Sequence, residues 1–251
     1  MNNSNNPFAI HGISHLSPSN INSYISDKPK WIMTYLFNIR DQFGAGATRG
    51  NAVESFLYKY LADNTLTVKE LEKTFTELCI EDQIDIEDEK TLKELAKLPQ
   101  YYNQLKNFKY NNLVSYQEKI ELQLFDLPVP IIGYIDFNFE DVVVDLKTVQ
   151  IMPKKPSNAH CRQMAIYSLM YPNKQMELFY MSPRECKIFS LSNDTLDYYK
   201  KEIETIVFKI QKFLSRSNDK NILATDEEYP NYDKWEWSEF MINEAKKIWR
   251  I

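Results

Sequence analysis

Two hydrophobic periods organise the chain. From Pro18 to Leu61 apolar residues recur at three- and four-residue spacing, which marks helices with one buried face. Ser17 and Ser19 are capping types ahead of Ile21, Tyr24 and Ile25, so a short helix begins near Pro18. Pro29 suits the first turn of a second helix through Trp31, Tyr35 and Phe37. The small-residue stretch Phe43–Ala47 reads as a break; it lacks a phosphate-loop lysine, so no nucleotide site is read there. Past Gly50 a third helix carries Val53, Phe56, Leu57, Tyr60 and Leu61 on one face, with Glu54 at the edge of that face. Residues 64–109 alternate charged and apolar positions around an acidic connector, Glu81–Glu89, and predict an insert of amphipathic helices.

The period then shortens. Val114–Phe125, Ile131–Phe139 and Val142–Val149 are rich in β-branched and aromatic residues and predict strands. Pro153, Pro156 and Ser157 mark a loop, and Asn158–Leu169 returns to helical spacing. Met176–Met181 and Cys186–Leu191 predict two more strands, and Thr195–Leu214 a long helix. Trp235, Trp237, Phe240, Ile248 and Trp249 are expected to close the core. The fold class expected from this order is α/β, a central mixed sheet flanked by helices, with the helical insert ahead of it. Residues 1–14 are Asn-rich without periodicity and are expected to be a flexible segment, leaving 15–251 as a single domain.

Composition narrows this only modestly. At 251 residues, 43% hydrophobic and 26% charged, the chain can bury one substantial core. No apolar run is long enough to span a bilayer. The start, Met1–Asn6, lacks the basic and apolar pattern of a signal peptide, and three cysteines form no paired framework. A cytoplasmic location is the expectation. The net charge of −5 does not by itself suggest a nucleic-acid partner.

The candidate chemistry lies in Gly133-Tyr134-Ile135-Asp136 and Val142–Thr148. Side chains alternate along a strand, so Asp145 and Lys147 share one face while Val144 and Leu146 point to the other. A turn around Glu140 and Asp141 can bring Asp136 beside Asp145. Paired carboxylates suit a hard cation that keeps some of its waters. A lysine beside them can orient a water, take its proton or stabilise developing negative charge. Burying a charge in such an apolar strand is costly unless it is paired or coordinated.

These residues resemble the PD-(D/E)XK nuclease superfamily, in particular its RecB-like exonuclease branch. Four segments in family order carry the likeness: His15–Tyr24 followed by Lys28-Pro29-Lys30-Trp31, similar to an LSPS segment; Arg49-Gly50-Asn51-Ala52-Val53-Glu54, similar to an RGxxxE helix; the G-x-x-D and D-x-K-T strands; and Gln163–Tyr167, a QxxxY helix. The name-giving proline is absent, since Ile135 precedes Asp136, as is usual in that branch. The resemblance implies a restriction-endonuclease-like core of order αβββαβ and metal-dependent hydrolysis of DNA, with exonuclease action in recombination, repair or end processing. A phage setting is also implied. It implies one or two Mg²⁺ or Mn²⁺ ions held by Glu54, Asp136, Asp145 and the Leu146 carbonyl. Lys147 would position or deprotonate the attacking water, and Arg49, Gln163 and Tyr167 would hold the substrate backbone. DNA is the implied partner, with a strand-annealing recombinase or a helicase as a further one.

An iron–sulfur cluster, present in some relatives, needs four thiolates, and Cys79, Cys161 and Cys186 cannot supply them. Glu118, Glu121 and His160 are left without an assigned role. The rival from another class is a catalytically inactive protein that retains the nuclease fold to bind DNA or a complex. A restriction endonuclease would need a base-reading element, and none is evident.

Overall fold

The computed structural model describes residues 6–42, 44–226, 229–233 and 237–250, so Phe43 and Trp235 lie outside the described residues. A five-stranded mixed sheet lies in the order β1 (Leu113–Leu122), β2 (Ile131–Phe139), β3 (Val142–Thr148), β4 (Gln175–Met181), β5 (Cys186–Leu191). β1, β2 and β3 form an antiparallel meander. β3 and β4 are parallel and joined by α8 (Asn158–Met170), and β5 returns antiparallel. The fold class expected from the sequence is the one observed.

Helices cover both faces. On one face α2 (Pro18–Ser26), α3 (Lys28–Tyr35), α8 and α9 (Asn193–Leu214) bury Ile21, Trp31, Met164 and Ile203 against Ile131, Val143 and Leu178. On the other, α4 (Ala45–Ala62), α5 (Val68–Glu81) and α7 (Leu98–Gln104) bury Phe56, Phe75 and Tyr101 against Phe137, Val144, Leu146 and Phe179. The helix α6 (Glu89–Leu95) rides on α4. Capping follows sequence cues: Ser17 caps α2 by accepting from the Asn20 N–H, and Asp27 caps α3 by accepting from the Lys30 N–H.

Three expectations are revised. Residues 6–14 are not loose: Asn6 caps a short α1 (Pro7–Ile10), Phe8 is wholly buried and Ile13 nearly so. Asn before Pro is a cap followed by a first-turn proline, a signal masked by the asparagines around it. The helix expected after Gly50 begins at Ala45, so Gly50 lies inside α4. A Cβ there would come 3.1 Å from Thr148 Oγ1, so its lack of a side chain lets the helix approach the end of β3. Finally, β1 ends at Leu122 rather than Phe125. Trp237 and Trp249 are buried, and Trp237 Nε1–H donates to Asp27 at 3.0 Å.

The two cores expose an irregularity in β1 and β2. Ile131 and Ile135 pack into the first core, yet Phe137 and Phe139, of the same parity on the same strand, pack into the second. In β1, Tyr116 packs with the second core and Ile120 with the first. A regular strand cannot do this, because its side chains alternate with period two. The register Tyr116↔Phe137 and Glu118↔Ile135 puts the reversal at Gln117 and Asp136, and Gln117 has a left-handed φ of 50°.

Candidate active site

The reversal opens the β2–β3 hairpin. Paired residues run from Asn138↔Val143 to Phe137↔Val144 and stop there. Beyond that point the Leu146 N–H is met by a side chain instead of a strand: Asp136 Oδ2 accepts from it at 2.9 Å. Asp136 is only 7% exposed and Asp145 is fully buried, so the two carboxylates sit in the cleft between diverging strands. Glu54, in the middle of α4, joins them from the helical layer. Its carboxylate accepts from Gln117 Nε2. Lys147 Nζ lies 2.7 Å from Asp145 Oδ2.

The electrostatics follow from burying three acids around one cation. Burial, then the charge of Asp145, holds the Asp136 carboxyl well above the usual carboxylate range. Burial also pushes Glu54 up, helped by the Asp145 charge and opposed by its hydrogen bond from Gln117. Burial disfavours the Lys147 ammonium, but Asp145, Asp136 and Glu54 together outweigh that and raise it above the ordinary lysine range.

The donor set suits a hard divalent cation. Both oxygens of the Asp145 carboxylate are buried with no hydrogen-bond donor, and their close partner is the Lys147 ammonium, ion-paired with Oδ2 at 2.7 Å. A native protein seldom leaves such an acceptor unsatisfied without a functional reason. Among the described residues no group of three or more His, Cys, Asp or Glu side chains is placed to hold a metal ion. Mg²⁺ does not need one, since it binds through one or two carboxylates and retains waters.

Lys147 also lines a groove of about 680 Å³, bounded by Ser17 and Ser19 of the α2 start, Lys119, Tyr134 and Gln163. The groove is therefore continuous with the cleft at the lysine. Tyr167 reaches its wall but is only 1% exposed; its hydroxyl donates to the Tyr134 carbonyl and accepts from Gln163 Nε2 at 2.7 Å. A Cβ on Gly133 would come 3.0 Å from Tyr167 Cε1, so the glycine of the G-x-x-D segment admits this ring. Tyr167 thus braces β2 beside Asp136, and Gln163 is the member of the pair left facing the groove.

Arg49 is placed differently from the expectation. It is 4% exposed, ion-paired with Glu94 of α6, stacked 5.0 Å from the Tyr101 ring centroid, and 3.4 Å from Thr148 Oγ1. Its charge is spent inside the protein, tying the helical layer to the end of β3, so it is not free for a substrate phosphate. Glu118 accepts from Ser115, Asn138 and Tyr171, and Glu121 pairs with Lys119 at 3.1 Å; neither reaches Lys147 in these bonds. His160 shares a hydrogen bond with the Tyr180 hydroxyl; burial, then the Lys147 cation, lowers its pKa to about 4, so it is neutral near pH 7. Gln117 and Tyr116 are the site residues that sequence reasoning missed. A trace of them exists: Glu118 puts a charge where the alternation Tyr116, Ile120, Leu122 calls for an apolar residue.

Comparison with known proteins gives the family of the chain. No protein among curated sequences matches the chain. A crystal structure of a candidate exonuclease from Eubacterium rectale superposes with a TM-score of 0.63 at 11% identity, covering 97% of this chain and 93% of that one, and so shows a shared fold. The crystal structure of SSO0001, at 12% identity and a TM-score of 0.30 over 75% of this chain and 82% of that one, is too distant to add to this. The model of the PD-(D/E)XK nuclease superfamily matches residues 15–236, and the chain belongs to that superfamily.

Proposed function

We propose that the protein is a metal-dependent deoxyribonuclease of the RecB-like type, an exonuclease working at DNA ends in recombination, repair or end processing. The observation that carries this reading is the wholly buried Asp145 carboxylate, both oxygens without a hydrogen-bond donor, 2.7 Å from Lys147 and beside Asp136. Glu54, Asp136, Asp145 and the Leu146 carbonyl would hold Mg²⁺ or Mn²⁺. When bound, such an ion supplies a Lewis acid for the scissile phosphate and lowers the pKa of a bound water.

The chain's own residues do the rest. Asp136 fixes the Leu146 backbone by accepting from its N–H, which sets where the neighbouring carbonyl sits. Lys147, pinned by Asp145, orients the attacking water and stabilises charge on the phosphate oxygens. Gln163 and the α2 start line the groove next to Lys147 and contact the sugar–phosphate backbone. Backbone contacts carry no base information, so little sequence preference follows. The likeness to the candidate exonuclease of Eubacterium rectale favours an exonuclease over an endonuclease.

The test is degradation of end-labelled linear DNA and of covalently closed circles with Mg²⁺, Mn²⁺ or EDTA. Metal-dependent loss of linear DNA with circles surviving supports the reading. Cutting of circles shifts it to an endonuclease. No cleavage and no metal binding leaves a nuclease fold used for binding alone.

A further inference from the structure

We propose that Gln117 is a positioning residue for the candidate metal ligand Glu54, and that its left-handed backbone exists to serve that task. The inference rests on the metal-dependent reading of the same site. On a regular strand, consecutive side chains point to opposite faces. Tyr116 and Gln117 are consecutive, yet both turn toward α4: Tyr116 stacks on Tyr58, and Gln117 donates to the Glu54 carboxylate. That is possible because β1 turns over at Gln117, where φ is 50°. Glutamine gains nothing intrinsically from this region, which favours glycine and asparagine. Residues held there without that preference cluster at functional sites, where the surrounding structure over-determines them.

What over-determines it is visible. Tyr116 stacks on Tyr58 of α4 with ring centroids 4.1 Å apart and planes 5° from parallel, and it packs 5.4 Å from Phe137. Tyr58 lies one turn after Glu54 on the same helix. The stack therefore fixes the α4 surface against β1, and the Gln117 amide closes the gap to the carboxylate. Gln117 and Asp136 lie between the paired residues Tyr116↔Phe137 and Glu118↔Ile135, so one irregularity serves two acids: it places Asp136 at the cleft and delivers the Gln117 amide that holds Glu54. Groups that orient a metal ligand are typically worth about 10–100-fold in metal affinity or activity.

The experiment titrates Mn²⁺ calorimetrically into the full-length protein and its Gln117→Ala, Gln117→Gly, Gln117→Asn and Asp145→Asn variants, with cleavage of linear DNA measured across Mn²⁺ concentrations. Gln117→Gly relieves the backbone and removes the amide, so it separates the two roles. The expected result is that Gln117→Ala and Gln117→Gly both bind Mn²⁺ about tenfold more weakly or worse, while Gln117→Gly keeps the unmutated melting temperature. Activity in both should recover partly at high Mn²⁺, and Gln117→Asn should recover part of the affinity. Mn²⁺ binding by Gln117→Gly equal to that of the unmutated protein overturns the proposal and leaves the metal-dependent reading intact. Failure of the unmutated protein to bind more Mn²⁺ than Asp145→Asn overturns both.

Discussion

Gln117 and Asp136 sit between the paired residues Tyr116↔Phe137 and Glu118↔Ile135, where β1 and β2 change which core they face. This places the site where a sheet stops being regular. Paired strands satisfy their own backbone, and the acids enter where β2 and β3 part, Asp136 taking the Leu146 N–H that no strand partner meets.

Clustering buried acids for a cation destabilises the protein that lacks one. The folded Asp136 carboxyl keeps its proton to higher pH than the unfolded chain, whose value is about 3.9. The native state therefore binds more protons, and its stability falls as pH rises from that value through the raised folded one. Asp136→Asn keeps an oxygen for the Leu146 N–H and removes the charge. In EDTA at pH 8 it should be more stable than the unmutated protein by about 0.5–2 kcal/mol, with a smaller gain at pH 5, by thermal melting. An equal or lower melting temperature at pH 8 would contradict the electrostatic account.

Gly133 and Tyr167 should behave as one unit. Gly133→Ala forces a Cβ to 3.0 Å from the Tyr167 ring, an overpacking that costs about 1–3 kcal/mol. Tyr167→Phe leaves the Tyr134 carbonyl without its donor, at about 1–3 kcal/mol. Gly133→Ala combined with Tyr167→Leu should be less destabilising than the sum of Gly133→Ala and Tyr167→Leu made singly, measured by urea unfolding as a double-mutant cycle. Strict additivity would show that the contact does not matter.

Arg49 distinguishes a structural cation from a substrate-binding one. Arg49→Ala leaves the half-buried Glu94 to Lys97 and Gln150 alone and should cost about 1–3 kcal/mol. Replacing both partners, Arg49→Met with Glu94→Leu, should restore much of the stability, and with it DNA affinity. If the double variant is stable but binds DNA far more weakly, Arg49 does reach the substrate.

Much of this architecture is legible in the residues alone. β2 runs Ile131–Phe139 and β3 starts at Val142, as their apolar alternation indicates, and α8 follows the Pro156-Ser157 stop and cap. Asp136, Asp145 and Lys147 are neighbours because they sit on adjoining strands whose hairpin is short, with Glu54 within electrostatic reach on α4. The pleat reversal is not legible: Ile131, Gly133, Ile135, Phe137 and Phe139 alternate without interruption, and only the three-dimensional packing assigns the two halves to different cores. The fate of Arg49 depends on Glu94, 45 positions away on a helix whose docking no local pattern encodes. Likewise the burial of Tyr167 depends on a missing side chain at Gly133 on another strand.

The most direct test of the central claim is single-turnover cleavage of linear DNA by the unmutated protein, Asp145→Asn and Lys147→Ala, purified in parallel, with Mg²⁺ and with EDTA. The account predicts cleavage by the unmutated protein only with metal, and a loss of about a hundredfold or more in each variant, with folding intact. Equal cleavage by Lys147→Ala or Asp145→Asn would contradict it.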